Sequence, residues 1–116
     1  MPHPFDIGQL ADDIRSAASG VLGENVTAIS GFSNTQVQLM AKQAAWIAEG
    51  TAKGELSGEL RDFFLKNLAD IARNFVRVLQ GLVLVTIEKI WNAVIDVLWN
   101  AIRGAVGNIS LPIPTF

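Results

Sequence analysis

The side chains that could carry out chemistry are few and lie far apart along the chain. None of the 116 residues is a cysteine, which excludes disulfides, thiolate metal ligands and cysteine nucleophiles. His3 is the single histidine, and it stands between two prolines without a cluster of carboxylates nearby. A metal site or a general base needs such partners. We therefore predict no metal ion, no cofactor and no small-molecule substrate for this chain.

The acidic residues form no catalytic pattern either. Asp12 and Asp13 are adjacent, so their carboxylates point in different directions on a helix, which is typical of solvated surface. Glu88 and Asp96 have no lysine or arginine four residues away, and we expect them to face water or another chain. The sequence contains no phosphate-binding loop, dinucleotide fingerprint, nucleophile elbow or Glu-x-x-His pair. Enzymatic activity is therefore the function class that the sequence favours least.

Composition narrows the class of protein. Half of the residues are apolar and only 17% are charged, unlike a disordered chain or an ordinary charge-rich soluble domain. The net charge of −2 lacks the basic excess that neutralises phosphates, so nucleic acid is not an expected partner. No basic segment followed by an apolar run stands near Met1, so we predict no secretory signal and a cytoplasmic or membrane-associated location.

Capping residues mark the helices that would position any functional surface. Asp6 and Ser33 can each accept a backbone hydrogen bond at a helix start, which predicts helices over residues 6–20 and 33–49. Ser57 can cap a third helix over residues 58–80. The apolar stripe predicted for this third helix is Leu60, Phe64, Leu68, Ile71, Phe75, Val78 and Leu82. The sequence predicts one all-α domain over residues 1–116, a three- or four-helix bundle.

A fourth helix is predicted over residues 82–106, and the sequence leaves open whether it continues the third helix or bends away near Gly81. One glycine costs about 1 kcal/mol in a helix, which weakens the helix without ending it. An unbroken helix from Gly58 to Val106 would be roughly 70 Å long. Because that length far exceeds a compact domain of this size, an unbroken helix would demand partner chains.

The fourth helix is the most apolar segment of the chain. On a helical wheel its polar residues fall within about one third of the circumference. They are Glu88, Lys89, Asn92, Asp96, Asn100 and Arg103. The remaining two thirds is more apolar surface than a helix on the outside of a monomer needs. We therefore expect this helix to be covered on two sides.

Three arrangements could supply that cover. The helix could be the central helix of a bundle or of a homo-oligomer. It could contact a membrane, either in the interface or with several polar strips lining a pore, although four charges argue against a simple span. A coiled-coil seam is the third arrangement, with spacings of four and three along Val83, Ile87, Ile90, Val94, Val97 and Ala101. Trp91 and Trp99 suit a protein interface or lipid headgroups equally well.

Residues 108–116 are predicted to form an extended tail. Pro112 and Pro114 occupy alternate positions, which fixes extended geometry and excludes helix for the residues before them. The prolines remove donors from one edge of the tail and leave those of Leu111, Ile113 and Thr115 on the other. Such a tail could pack on its own chain or dock on a neighbouring subunit.

The sequence thus favours a non-enzymatic structural or assembly subunit that self-associates or binds a partner protein through its last helix and tail. The alternative is a membrane-associated or membrane-active protein that uses the same amphipathic helix. The predicted interface residues are Val83, Ile87, Ile90, Trp91, Val94, Val97, Leu98, Trp99, Ala101, Leu111, Ile113 and Phe116. The partner and the number of subunits are not encoded in any motif of the chain.

Overall fold

A computed structural model describes residues 6–23, 25–28, 34–82, 86–106 and 111–116. Within these ranges the chain forms four α-helices and no strand, which confirms the predicted all-α bundle. The helices are α1 (Ile7–Leu22), α2 (Asn34–Ala52), α3 (Gly58–Leu82) and α4 (Ile87–Val106). A short 3-10 turn, Val26–Ala28, stands between α1 and α2.

Local hydrogen bonds explain where α1 begins and ends. The Asp6 carboxylate accepts a hydrogen bond of 3.0 Å from the Gln9 backbone N–H, as the sequence predicts. At the other end Gly23 adopts a left-handed φ of 74°, and its N–H donates to the Ser19 carbonyl at 2.9 Å. Glycine reaches this conformation without steric cost, so α1 continues two residues beyond the predicted end.

The connection between α2 and α3 is a tight polar turn. The Gly50 carbonyl accepts from the Glu55 N–H at 2.8 Å, and Gly54 supplies a left-handed φ of 74°. The Ser57 hydroxyl then accepts from the Leu60 N–H at 3.3 Å, which confirms the predicted cap of α3. The predicted cap of α2, Ser33, lies outside the described residues. The turn makes α2 and α3 antiparallel neighbours.

α3 and α4 are two helices, and the long continuous helix does not form. α3 passes through Gly81 and ends at Leu82, while α4 begins at Ile87 rather than at the predicted residue 82. The Thr86 carbonyl accepts the first hydrogen bond of α4, from the Lys89 N–H at 3.2 Å. The chain has a radius of gyration of 14.0 Å, close to the roughly 13 Å expected of a compact domain this long.

The core lies where α4 meets the other three helices. α4 contacts α1, α2 and α3, and α2 contacts both α1 and α3. Small side chains on α2 let the helices approach closely. The buried residues of α2 are Val37, Met40, Ala41, Ala44, Ala45, Ile47 and Ala48. They form one hydrophobic cluster with the buried residues of the other helices.

The buried face of α3 differs from the predicted stripe. The residues that it buries are Leu65, Leu68, Ala69, Ala72, Phe75, Val76 and Leu79. Leu68 and Phe75 of the predicted stripe are buried, and Phe64 and Ile71 are half-buried and pack against the core cluster, whereas Leu60 and Val78 are 47% and 42% exposed. The side chain of Leu82 lies outside the described residues. The prediction was wrong at Leu60 and Val78, because the buried face is centred further round the helix, on a side that includes Ala69 and Ala72.

Candidate interaction surfaces

The residues predicted to contact a second chain through α4 lie in the core of this chain. Ile90, Trp91, Val94, Leu98 and Trp99 are at most 2% exposed. The helices α1, α2 and α3 of the same chain cover α4. Within the described residues α4 is therefore the central helix of a bundle, the first of the three arrangements, and these five side chains offer almost no surface to a second chain.

The remaining predicted positions on α4 are nearer the border of the core. Ile87, Val97 and Ala101 are half-buried and pack against the core cluster. Val83 lies outside the described residues. Of the six polar residues predicted to share one third of the helix, five are exposed and Arg103 is half-buried. The helical wheel therefore predicted the polar face of α4 correctly.

The tail, residues 111–116, binds its own chain along α3 and α4. Two tryptophan side chains of α4 donate hydrogen bonds to proline carbonyls of the tail. Trp99 Nε1 donates to the Pro112 carbonyl at 3.1 Å, and Trp91 Nε1 donates to the Pro114 carbonyl at 3.0 Å. These bonds satisfy the indole N–H groups of two nearly buried side chains, which a core position alone would leave without acceptors.

Two arginines bind the neighbouring carbonyls. An N–H of Arg103 donates to the Leu111 carbonyl at 2.8 Å, and an N–H of Arg73 donates to the Thr115 carbonyl at 2.8 Å. The Arg73 guanidinium also binds Asp70 at 2.8 Å and lies 5.3 Å from the centre of the Trp91 ring. We call the site formed by Arg73, Trp91, Trp99 and Arg103 the tail groove.

The tail buries little of its own side-chain surface in the tail groove. Leu111 is 4% exposed, whereas Ile113 is 47% exposed and Phe116 is 36% exposed. The Phe116 ring packs edge-on against Trp91 at 5.5 Å and lies 5.2 Å from the Arg77 guanidinium carbon. Of the three residues predicted to form contacts in the tail, Leu111 is therefore buried within this chain, whereas Ile113 and Phe116 remain partly exposed to solvent.

A cleft of about 490 Å³ remains open beside the tail. Its walls are residues of α3, Trp99 of α4 and the two prolines of the tail. Arg61, Lys66 and Arg73 line the cleft on the α3 side together with a single acidic residue, Asp62. The tail therefore leaves a locally basic part of its binding site unfilled, although the whole chain is acidic.

A second surface, on α2 and α3, exposes large apolar side chains. We call it the apolar ribbon; it comprises Leu39, Trp46, Leu60, Phe63 and Val78, which are 42–57% exposed, with the half-buried Phe64 and Ile71 between them. The Phe64 ring joins its two sides, because it packs edge-on against Trp46 at 4.5 Å and against Phe63 at 5.4 Å. The antiparallel register that pairs Trp46 with Phe64 brings Leu39 level with Ile71.

Charged residues of alternating sign border the apolar ribbon along α3. At roughly 100° per residue, Glu59, Lys66, Asp70 and Arg77 fall in one row along the helix. Glu59, Lys66, Asp70 and Arg77 are all exposed. The row therefore presents negative, positive, negative and positive charge in order from the start of α3 to its end.

Several groups at these surfaces were missed from the sequence. Arg103 was predicted to lie on the polar third of α4, and no role was predicted for Arg73 or Phe63. The spacing of Leu60, Phe63 and Phe64, three large apolar residues within two turns, is a signal that could have indicated the ribbon. No comparable signal exists for the arginines, because their partners in the tail are 8 and 42 residues away.

The described residues show neither a metal-binding group nor a membrane-spanning helix. No cluster of three or more histidine, cysteine, aspartate or glutamate side chains occurs among them. No helix in the same part of the chain combines the length and the apolarity that crossing a bilayer requires. Comparison with protein-family models, with curated proteins and with solved structures finds no match to this chain.

Proposed function

We propose that this protein is a non-enzymatic assembly subunit that self-associates through the apolar ribbon of α2 and α3. The observation that carries the proposal is the clustering of five large apolar side chains, each 42–57% exposed, on one side of a small chain. Scattered exposed apolar residues are ordinary in soluble proteins, but exposed aromatic side chains that contact each other through a shared ring, as Trp46 and Phe63 do through Phe64, are typical of an interaction site. Aromatic side chains such as Trp46 and Phe63 are also enriched where proteins bind each other.

Charge complementarity supports a second copy of this chain as the occupant. In a two-fold pair the same surface meets itself, and an axis perpendicular to α3 makes α3 of one copy antiparallel to α3 of the other. With that axis near residue 68, Glu59 lies opposite Arg77 and Lys66 lies opposite Asp70. Each charge in the row then faces its opposite, and the apolar ribbons of the two copies face each other beside the paired rows.

A lipid surface fits the same ribbon less well. Peripheral membrane helices bind anionic lipids through an excess of lysine and arginine beside the apolar face. The row that borders the ribbon contains two acidic and two basic residues, and the chain as a whole carries a net charge of −2. The row therefore supplies no basic excess for anionic lipid, whereas pairing with an identical row remains favourable.

Light scattering of the full chain as a function of concentration tests the proposal. We expect a mass that rises toward twice 12.5 kDa, and a Phe63→Lys variant that stays at 12.5 kDa while its circular dichroism is unchanged. Phe63 is 57% exposed, so the substitution removes apolar contact without disturbing the core. Ile113→Lys is the matched control, because Ile113 is 47% exposed but belongs to the tail.

Charge reversal tests the orientation of the two copies. Lys66→Glu puts a glutamate opposite Asp70 on both sides of the two-fold axis, and we expect at least tenfold weaker association. Lys89→Glu makes the same change of charge at an exposed residue of α4, a helix that contributes nothing to the ribbon, and it should leave association unchanged. A chain that stays monomeric at millimolar concentration, or that floats with phosphatidylserine vesicles, would contradict self-association as the role of the ribbon.

A further inference from the structure

We propose that the tail groove is a binding site for an extended, proline-containing peptide of another protein, and that the chain's own tail covers the site until such a peptide displaces it. This second binding function goes beyond self-association through the apolar ribbon, although the charge row beside the ribbon adjoins the groove: Asp70 binds Arg73, Lys66 lines the open cleft and Arg77 lies against Phe116. It rests on the way in which Arg73, Trp91, Trp99 and Arg103 hold the tail, on the surface that the tail leaves free, and on the cleft that it leaves open.

The groove binds the main chain of its occupant. Four side-chain donors bind four carbonyls out of five consecutive residues, those of Leu111, Pro112, Pro114 and Thr115. Every peptide has carbonyls, but only an extended one presents them at this spacing. Indole N–H donors and aromatic walls are the means by which proteins commonly bind proline-rich segments, whose stiff backbone loses little entropy on binding.

The tail shows which side chains such a peptide needs. Leu111 is the buried anchor, at 4% exposure, so the first position requires an aliphatic residue. Pro112 and Pro114 follow at positions whose carbonyls bind the two tryptophans. Ile113 is 47% exposed between them, so almost any residue fits that position. The expected ligand pattern is therefore aliphatic, proline, any residue, proline.

The same contacts make the tail displaceable. One anchor and four hydrogen bonds hold six residues, and water can replace the tail carbonyls at the rim of the groove if the tail leaves. The tail competes mainly because it is tethered, which gives a short segment an effective concentration on the order of millimolar. A peptide that also fills the open cleft of about 490 Å³ beside the prolines gains contacts that the tail does not make.

Another protein is a better source of this peptide than a second copy of the chain. Exchange of tails between two copies gains no contact, because each tail already makes the same four hydrogen bonds in its own groove. A peptide of another protein can gain contacts in the open cleft that the tail does not fill.

Fluorescence anisotropy with a labelled peptide, Leu-Pro-Ile-Pro-Thr-Phe, tests the proposal on the full chain. In a Leu111→Asp variant the tail loses its anchor and the groove is free, so we expect the peptide to bind at least tenfold more tightly than to the unaltered chain. Ile113→Asp places the same charge on the exposed side of the tail, and it should bind the peptide as weakly as the unaltered chain does.

Two further arms identify the groove and the peptide pattern. In the Leu111→Asp background, replacing Trp91 and Trp99 by phenylalanine should weaken peptide binding at least tenfold, because both indole donors are lost. The peptide Leu-Ala-Ile-Ala-Thr-Phe should bind at least tenfold less tightly than the proline form.

A second variant is needed if Leu111→Asp lowers the circular dichroism of the fold. The double substitution Pro112→Gly, Pro114→Gly loosens the tail without placing a charge in the core. We expect it to give the same increase in peptide binding.

Three results would overturn the proposal. The first is equal peptide binding by the unaltered chain and by both tail-loosened variants. The second is binding that survives loss of both indole donors. The third is a dimer of the unaltered chain that Leu111→Asp dissolves and Phe63→Lys does not, since that result would assign the groove to tail exchange between copies. Light scattering of the two variants distinguishes the last case from failure of the ribbon interface.

Discussion

The two longest helices, α3 and α4, differ from what their sequences suggest about which one exposes apolar surface. α4 has the higher fraction of apolar residues, yet seven of its side chains are buried within this chain and its polar third faces water. α3 carries more charge, yet it exposes Leu60, Phe63 and Val78. The exposed apolar surface of the folded molecule therefore lies on α3, although α3 carries more charged residues than α4.

The difference follows from position in the bundle. α4 contacts each of the other three helices, and the tail shields the two tryptophans of α4. α3 contacts α2 and α4, so much of its circumference has no neighbour within the chain. A helix at the periphery needs only one narrow apolar stripe, and α3 has two. The second stripe is the surface available to another molecule.

The largest expected contrast between the helices comes from matched leucine truncations. Leu98→Ala on α4 should lower the free energy of unfolding by about 2–5 kcal/mol, because the side chain is fully buried and leaves a cavity. Leu60→Ala on α3 should change it by no more than about 0.5 kcal/mol, because that side chain is 47% exposed. Urea denaturation at concentrations where the chain is monomeric measures both, and similar losses at the two sites would refute the comparison.

The tryptophans give a smaller contrast of the same kind. Trp99→Phe removes the donor to the Pro112 carbonyl, and we expect a loss of about 1–3 kcal/mol. Trp46→Phe on the ribbon should cost no more than about 0.5 kcal/mol, since Trp46 is 50% exposed. Acrylamide quenching provides a second measurement: Trp46→Phe should remove the accessible part of the fluorescence, while Trp99→Phe should leave it.

The start of α3 offers a test of what holds that helix in place. Ser57→Ala removes the hydroxyl that accepts the Leu60 N–H, and it should cost about 1 kcal/mol. Ser16→Ala, at an exposed position inside α1, is the matched control and should be neutral or slightly stabilising. Thermal unfolding followed by circular dichroism checks both; an unchanged midpoint for Ser57→Ala would mean that packing alone fixes the start of α3.

The smallest expected effect concerns the end of α3. Gly81→Ala should raise the free energy of unfolding by about 0.5 kcal/mol, because α3 runs through this residue and a Cβ there meets no atom within 4 Å. The change should be slightly destabilising if the chain instead bends at Gly81 with a backbone that only glycine adopts. Differential scanning calorimetry separates the two outcomes by the sign of the shift.

Much of the fold was predictable because its signals are local. The caps at Asp6 and Ser57, the left-handed Gly23 and the small inner face of α2 each depend on residues within one or two turns. The polar third of α4 was equally predictable, because burial of charge is costly in any arrangement. The start of α4 was misplaced by five residues, since no proline or polar cluster marks the end of α3.

The sequence by itself determined which helices form and which side of α4 stays polar, because hydrogen bonds, caps and charge act over a few residues. Only the tertiary structure decided which apolar surfaces find cover. Whether Trp91 or Phe63 is buried depends on which helices pack beside it, and those contacts join residues far apart in the chain. The tail groove has the same origin: it exists because Arg73, 42 residues away from Thr115, is brought to that carbonyl by the folding of α3 against α4.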